Sequence, residues 1–178
     1  MSSRPSQPIN LQLRELGQLF NSMDPSPFRD RDLDADAEEY ILSWARELSP
    51  DHEIELVVHL QVPPAEDRAA DLEQAVHHYF AERLEMKKRE FRQLMRRGRT
   101  SLVIGLAFLA TCLFASDLTA RIAARPFAII LSESLVIVGW VAMWRPLEIY
   151  LYDWWPLRDE RRVLERLSRM RVRLVPPK

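Results

Sequence analysis

Residues 127–155 read FAIILSESLVIVGWVAMWRPLEIYLYDWW, and the fold is decided here. The first part, 127–144, carries a single ionisable side chain, Glu133. At about 1.5 Å per residue it comes close to the roughly 30 Å of a bilayer's hydrocarbon, so it reads as a transmembrane helix. The remainder changes character. Tyr150, Tyr152, Trp154 and Trp155 have the make-up of an aromatic belt at headgroup level, with Arg145, Arg158, Arg161 and Arg162 as cytosolic anchors. Pro146 and Pro156 are expected to break the helix on either side. That leaves 145–156 as an interfacial segment before a helix over 157–170.

Working back from this stretch, a second apolar run covers 100–120. Between Thr100 and Trp144 the only ionisable residues are Asp117, Arg121, Arg125 and Glu133. Immediately before the run, MKKREFRQLMRRGR at 86–99 packs seven basic residues into 14 positions, whereas the turn at 121–126 holds two. By the positive-inside rule the long basic flank stays cytosolic. The two spans are therefore expected to form a hairpin with both termini in the cytosol. Arg96, Arg97 and Arg99 join the four aromatics as membrane-interface anchors, and the basic cluster also suits anionic headgroups. Small residues recur at Ala107, Thr111 and Ala115 in one span and at Ala128, Ser132 and Gly139 in the other, as close helix packing requires. Asp117 and Arg121 are spaced for a local ion pair.

Whole-chain averages hide this segregation. With 47% hydrophobic and 29% charged residues in 178, the chain resembles an ordinary soluble domain, yet nearly all the charge lies in 1–99 and 145–178. A net charge of −1 gives no case for a nucleic-acid partner. Cys112 is the one cysteine, which excludes disulfide frameworks and cysteine zinc sites. The amino terminus lacks the apolar core of a secretory signal and is expected to begin in the cytosol.

The aqueous parts read as a small α/β module. Residues 1–10 have the composition of a flexible tail, and 11–20 place Leu13, Leu16, Leu19 and Phe20 at helical spacing. Asp24-Pro25 and Ser26-Pro27 mark a turn. Asp30, Asp32, Asp34 and Asp36 invite comparison with a calcium loop, but the central glycine is missing. Their simpler role is to cap and start a helix over 35–48, with Ala37, Tyr40, Ile41, Trp44 and Leu48 as its apolar stripe. In HEIELVVHLQV, residues 52–62, Ile54, Leu56, Val58, Leu60 and Val62 alternate with mostly polar positions, which makes a strand ended by Pro63-Pro64. A second strand is expected at 170–175. Because a two-stranded sheet is marginal, further pairing between protomers is expected. From Glu66 a proline-free helix of about 30 residues feeds the first span. His77 and His78 point about 100° apart on it, which suits surface or core roles better than a shared metal.

Chemistry is sparse. No GxSxG, phosphate-binding loop, GxGxxG or HExxH pattern occurs, so neither catalytic nor cofactor nor metal residues are assigned, and the chain reads as non-enzymatic. Glu133 is the candidate functional residue, because a carboxylate at the centre of a span costs about 2.5–3.5 kcal/mol on the insertion scale. Three roles fit it: a hydrogen-bonded lock between helices using Ser116, Thr119 or Ser134, a pore or proton path in an oligomer, or a contact with a metal or partner protein.

SMDPSPFRDRDLDADAEEYI, VVHLQVPP and RPLEIYLYDWWPLRDERRVLERLSRM together resemble a group of small, functionally uncharacterised bacterial proteins with two transmembrane helices. The resemblance spans nearly the whole chain. It implies a bacterial inner-membrane setting and carries over no activity or site residue. The fold class expected is therefore an α-rich α+β membrane protein, a two-helix transmembrane hairpin inserted between the halves of a small cytosolic α/β module. The partners expected are the lipid bilayer, further copies of the chain and other membrane proteins, with no nucleic acid. The function expected is a homo-oligomeric membrane scaffold or regulatory subunit. The alternatives are a small oligomeric ion or proton channel with Glu133 in the pore, or an accessory subunit of a larger membrane complex.

Overall fold

The computed structural model describes residues 6–64, 68–122 and 125–175. The chain divides into two compact units, Met1–Lys88 with Asp159–Lys178, and Arg89–Arg158. The first unit is built on three parallel strands, β1 (Ser6–Leu13), β2 (Glu53–Leu60) and β3 (Arg171–Val175), in the order β1-β2-β3. Leu11 lies beside Val58, and Val58 beside Leu174. The alternation in β2 turns Ile54, Leu56, Val58 and Leu60 to a core shared with helix α1 (Ala35–Glu47), the start of helix α2 (Ala69–Ile122) and the end of helix α5 (Trp154–Leu167). Leu19, Ile41, Leu72, Val76, Phe80 and Leu167 are fully buried there.

Strand β1 corrects the sequence reading twice, since residues 6–10 were expected as tail and 11–20 as helix. Ile9, Leu11 and Leu13 also alternate, and Ile9 and Leu11 are buried in the core. An open edge of β2 satisfies the backbone of this stretch as a helix of ten residues on its own cannot. Pro8 is tolerated because β1 is an edge strand. Helical winding survives only as a 3₁₀ turn over Leu16–Leu19, where Glu15 and Gln18 cap each other reciprocally. With β1 in place, β2 has a partner on both sides within one chain. The argument that a marginal two-stranded sheet needs a second protomer therefore lapses.

Helix α1 starts where Asp34 accepts the Asp36 N–H at 3.1 Å. Its buried face is Ala37, Ile41 and Ala45, rotated from the expected stripe, with Tyr40 and Trp44 left exposed. The Tyr40 hydroxyl donates to the Asn10 carbonyl at 3.0 Å. Arg166 of α5 donates to the carbonyls of Ser49 and His52, each at 2.9 Å, and so holds the turn between α1 and β2. His77 Nε2 donates to the Met170 carbonyl at 2.6 Å just before β3, a structural role. The other face of the sheet is polar, with an Arg173–Glu55 ion pair at 2.7 Å and a His59–Asn10 hydrogen bond at 3.1 Å.

The second unit contains the later part of α2, helix α3 (Arg125–Ala142), the short helix α4 (Trp144–Glu148) and a π turn over Ile149–Asp153. The expected turn at 121–126 falls between Ile122 and Arg125, and residues 123 and 124 lie outside the described residues. The helical stretches Ala69–Thr119 and Ile129–Leu167 contain 18-residue windows of mean hydropathy 2.0 and 1.3. Both are long and apolar enough to cross a membrane. Only 11% and 17% of those windows are buried within the protein, unlike the core helices of a soluble domain.

Each proline coincides with an interruption of regular winding, as expected: α3 ends at Ala142 with a turn at Met143 ahead of Pro146, and the π turn precedes Pro156. Pro146 and Pro156 each lie in the first turn of a helix, where a missing N–H is no loss. The π turn just before Trp154 absorbs the change of winding that Pro156 imposes, since its ring would clash with a regular preceding turn. The Trp154 indole N–H donates to the Tyr150 carbonyl at 2.8 Å.

Candidate functional site

The hairpin closes along a seam of small residues. On α2, Gly98, Gly105 and Cys112 recur every seven residues, and all three are buried. A Cβ at Gly98 would lie 2.9 Å from Ile149 Cγ2 and 3.5 Å from the Tyr150 ring. One at Gly105 would lie 3.1 Å from Met143 Sδ and 3.2 Å from the Ala142 carbonyl. From the other side, a Cβ at Gly139 would meet Leu109 Cδ1 at 2.8 Å and Cys112 Cβ at 3.1 Å. Ser116 completes the seam by donating to the Ser132 carbonyl at 3.1 Å. The spacing of seven is that of left-handed antiparallel packing. It differs from the stripe that the sequence suggested. Ser132 and Gly139 do pack there, but Ala107 and Thr111 face outward, and Thr111 merely donates to the Ala107 carbonyl at 2.8 Å. The side chain of Ala128 lies outside the described residues.

Glu133 does not enter the seam. It is exposed on α3, one turn from Ile130 and Ile137 and two turns from Trp140, which are 67%, 62% and 62% exposed. Among the described residues it makes no hydrogen bond or ion pair. The hydroxyls expected to hold it are spent locally: Ser116 on the Ser132 carbonyl, Thr119 on the Ala115 carbonyl at 2.8 Å, and Ser134 on the Ile130 carbonyl at 2.7 Å. The structure thus leaves the intrahairpin lock without its donors. It presents the carboxylate on an apolar outer face.

The interface anchors gather at the opposite end of the hairpin. Because Gly98 packs on Ile149 and Tyr150, the cations of α2 and the aromatics after α4 lie at one level. Tyr152 and Trp155 are exposed, and Trp154 stacks at a tilt on Trp155 with ring centres 5.5 Å apart. Arg158 lies 5.4 Å over the Trp154 ring. Arg145 pairs with Glu148 at 2.8 Å, and that hydrogen bond, with the charge of Asp153, raises its already high pKa. Arg96 and Arg97 line a groove of about 430 Å³ on α2, while Arg99 is exposed outside it. Asp117 and Arg121 form the expected local pair at 2.8 Å.

In the first unit several polar groups pair off, while among the described residues the buried Arg31 Nε and His52 Nδ1 have no hydrogen-bond partner. Glu38 accepts from the Tyr79 hydroxyl and from Arg83 Nε, each at 2.7 Å. Burial, reinforced by the Glu38 carboxylate, holds the Tyr79 phenol well above its ordinary pKa. Burial opposes the charge on Arg83, but the bond and charge of Glu38 outweigh it and raise that pKa as well. A neighbouring cavity of about 190 Å³ is bounded by Arg46, Lys87 and Glu160, in which Lys87 pairs with Glu160 at 2.9 Å. The aspartates are likewise absorbed. Asp24 accepts the backbone N–H groups of Asp32 and Ser26 at 2.8 and 2.9 Å, which lowers its pKa. Asp30 faces His78 at 3.7 Å, and Asp71 pairs with Arg29 at 2.9 Å. Among the described residues no group of three or more His, Cys, Asp or Glu could hold a metal ion.

No family model, no curated protein and no solved structure matches this chain.

Proposed function

We propose that this chain is a non-enzymatic integral membrane protein of the bacterial inner membrane. Its hairpin spans the bilayer and self-associates through the Glu133 face, and its α/β unit sits in the cytosol as a scaffold or regulatory module. The observation that carries the reading is Glu133, exposed between Ile130, Ile137 and Trp140 and without a hydrogen-bond or ion-pair partner among the described residues. Such a face suits lipid everywhere except at the carboxyl, whose cost near the centre of a span is about 2.5–3.5 kcal/mol. A second copy related by an axis along the membrane normal brings its own Glu133 to the same depth. Two carboxyls held together there share a proton and exclude lipid from both. The basic flank at 86–99 supports the cytosolic placement of the α/β unit.

The test is the native mass of the gently solubilised full chain, combined with ion flux in proteoliposomes. A dimer or small oligomer with no flux supports the scaffold. Flux that Glu133→Gln abolishes, in an oligomer of at least four copies, replaces the scaffold with the channel. A monomer, or a stoichiometric complex with a foreign subunit, contradicts self-association, the latter in favour of an accessory role.

A further inference from the structure

The groove on α2 has the geometry of an anion site placed at a membrane surface. It lies between two ridges, Gln93–Arg97–Ser101 and Arg96–Thr100–Ile104, each stepping four residues along the helix. It is a shallow groove of about 430 Å³, open to the outside along its length. The two arginines stand at its outer end and no carboxylate lines it. Neither guanidinium has an ion-pair or hydrogen-bond partner among the described residues. Two cations two to three turns earlier differ, since Lys87 pairs with Glu160 at 2.9 Å and Lys88 with Glu85 at 2.6 Å. Thr100 spends its hydroxyl proton on the Arg96 carbonyl at 3.1 Å, while the Ser101 and Gln93 side chains make no hydrogen bond among the described residues.

One turn further along, the same face becomes apolar. Ile104 is 63% exposed, and Phe108, four residues on, is 45% exposed. The groove therefore offers guanidinium and hydroxyl donors at one end and a hydrocarbon surface at the other, with the change made over about 4.5 Å of helix. It lies level with Tyr150, as the packing of Gly98 fixes, and so with the exposed aromatics that mark a headgroup layer.

We infer that this groove binds the headgroup of an anionic phospholipid. The phosphodiester is held by Arg96 and Arg97 with help from Ser101 and Gln93, and an acyl chain lies along Ile104 and Phe108. The inference rests on the reading of the hairpin as membrane-embedded, which resistance of the protein to alkaline extraction from membranes checks separately.

The experiment is native mass spectrometry of the full chain in mild detergent, titrated with dihexanoyl phosphatidylglycerol, with dihexanoyl phosphatidylcholine, and with inorganic phosphate. The wild type is expected to retain the glycerol lipid in preference to the choline lipid, and inorganic phosphate should not displace it. Replacing both groove arginines, as R96Q/R97Q, weakens retention about 30-fold. The matched pair R89Q/R92Q removes the same charge outside the groove and changes it less than about threefold. Gln93→Glu places a carboxylate in the groove and also abolishes retention, without loss of either arginine. Equal binding of the two lipids, or equal loss in both double variants, overturns the site in favour of diffuse attraction. Displacement by inorganic phosphate at comparable concentration overturns the lipid and leaves a soluble-phosphate site.

Discussion

Replacement of Glu38 by alanine tests whether the first unit is held together as described. The Glu38 side chain is 12% exposed and joins α1 to α2 by accepting from Tyr79 and Arg83, each at 2.7 Å. Removing it leaves the Tyr79 hydroxyl without an acceptor on a residue only 9% exposed, which costs about 1–3 kcal/mol. The Arg83 side chain is 43% exposed and regains water, so the lost ion pair adds only about 0–1 kcal/mol. The sum is about 1–4 kcal/mol, or a rise of roughly 5- to 700-fold in local opening. Hydrogen exchange of the full chain in nanodiscs, read on peptides from 35–47, reports this opening directly. Glu38→Gln keeps an acceptor for Tyr79 and should cost about 1 kcal/mol. Tyr79→Phe should reduce the effect of Glu38→Ala, because the orphaned hydroxyl is then gone. An increase below about threefold for Glu38→Ala would refute the reasoning.

Three further outcomes follow from the same geometry. The raised pKa of Tyr79 means that the folded state keeps a proton the unfolded chain releases. Its contribution is present below pH 10.0, the ordinary phenol value, and is lost as pH rises beyond it, so Tyr79→Phe should flatten the alkaline limb of the stability profile. Asp24 has the opposite sign. Its contribution is present above the ordinary value of 3.8 and is lost as pH falls below it, so Asp24→Asn should flatten the acid limb; an unchanged limb would count against the role given to Asp24. Gly139→Leu should open the hairpin at a cost of about 1–3 kcal/mol, since even a Cβ would stand 2.8 Å from Leu109 and 3.1 Å from Cys112. Gly17→Ala, with nothing within 4 Å, is the neutral control, and detergent-titrated unfolding followed by tryptophan fluorescence measures both.

How far the sequence reveals this molecule depends on which force shapes each part. The apolar windows, the capping of α1 by Asp34 and the alternation of β2 are local signals, and the structure places a helix or strand at each. Strand β1 is not local. Residues 9–13 fit a two-residue period and 11–20 a helical one, and only the edge of β2, 47 residues further on, selects the first where the two overlap. The seam was hidden for a different reason. The spacing of four at Ala107, Thr111 and Ala115 drew attention from the spacing of seven at Gly98, Gly105 and Cys112, which was open to reading. Glu133 stood out by depth alone, but its direction required the helix phase that the seam fixes. The Glu38, Tyr79 and Arg83 cluster had no sequence signal, since its members lie 41 and 45 residues apart.

The most direct test of the central claim is disulfide cross-linking across the Glu133 face in native membranes. With Cys112→Ser as background, Ile137→Cys lies one turn from Glu133 on the same exposed stripe. Oxidation should convert it to a species of twice the chain mass of 20.9 kDa, and Glu133→Leu in the same background should alter the yield. A chain that stays monomeric under an oxidant that cross-links a known membrane dimer would contradict the interface.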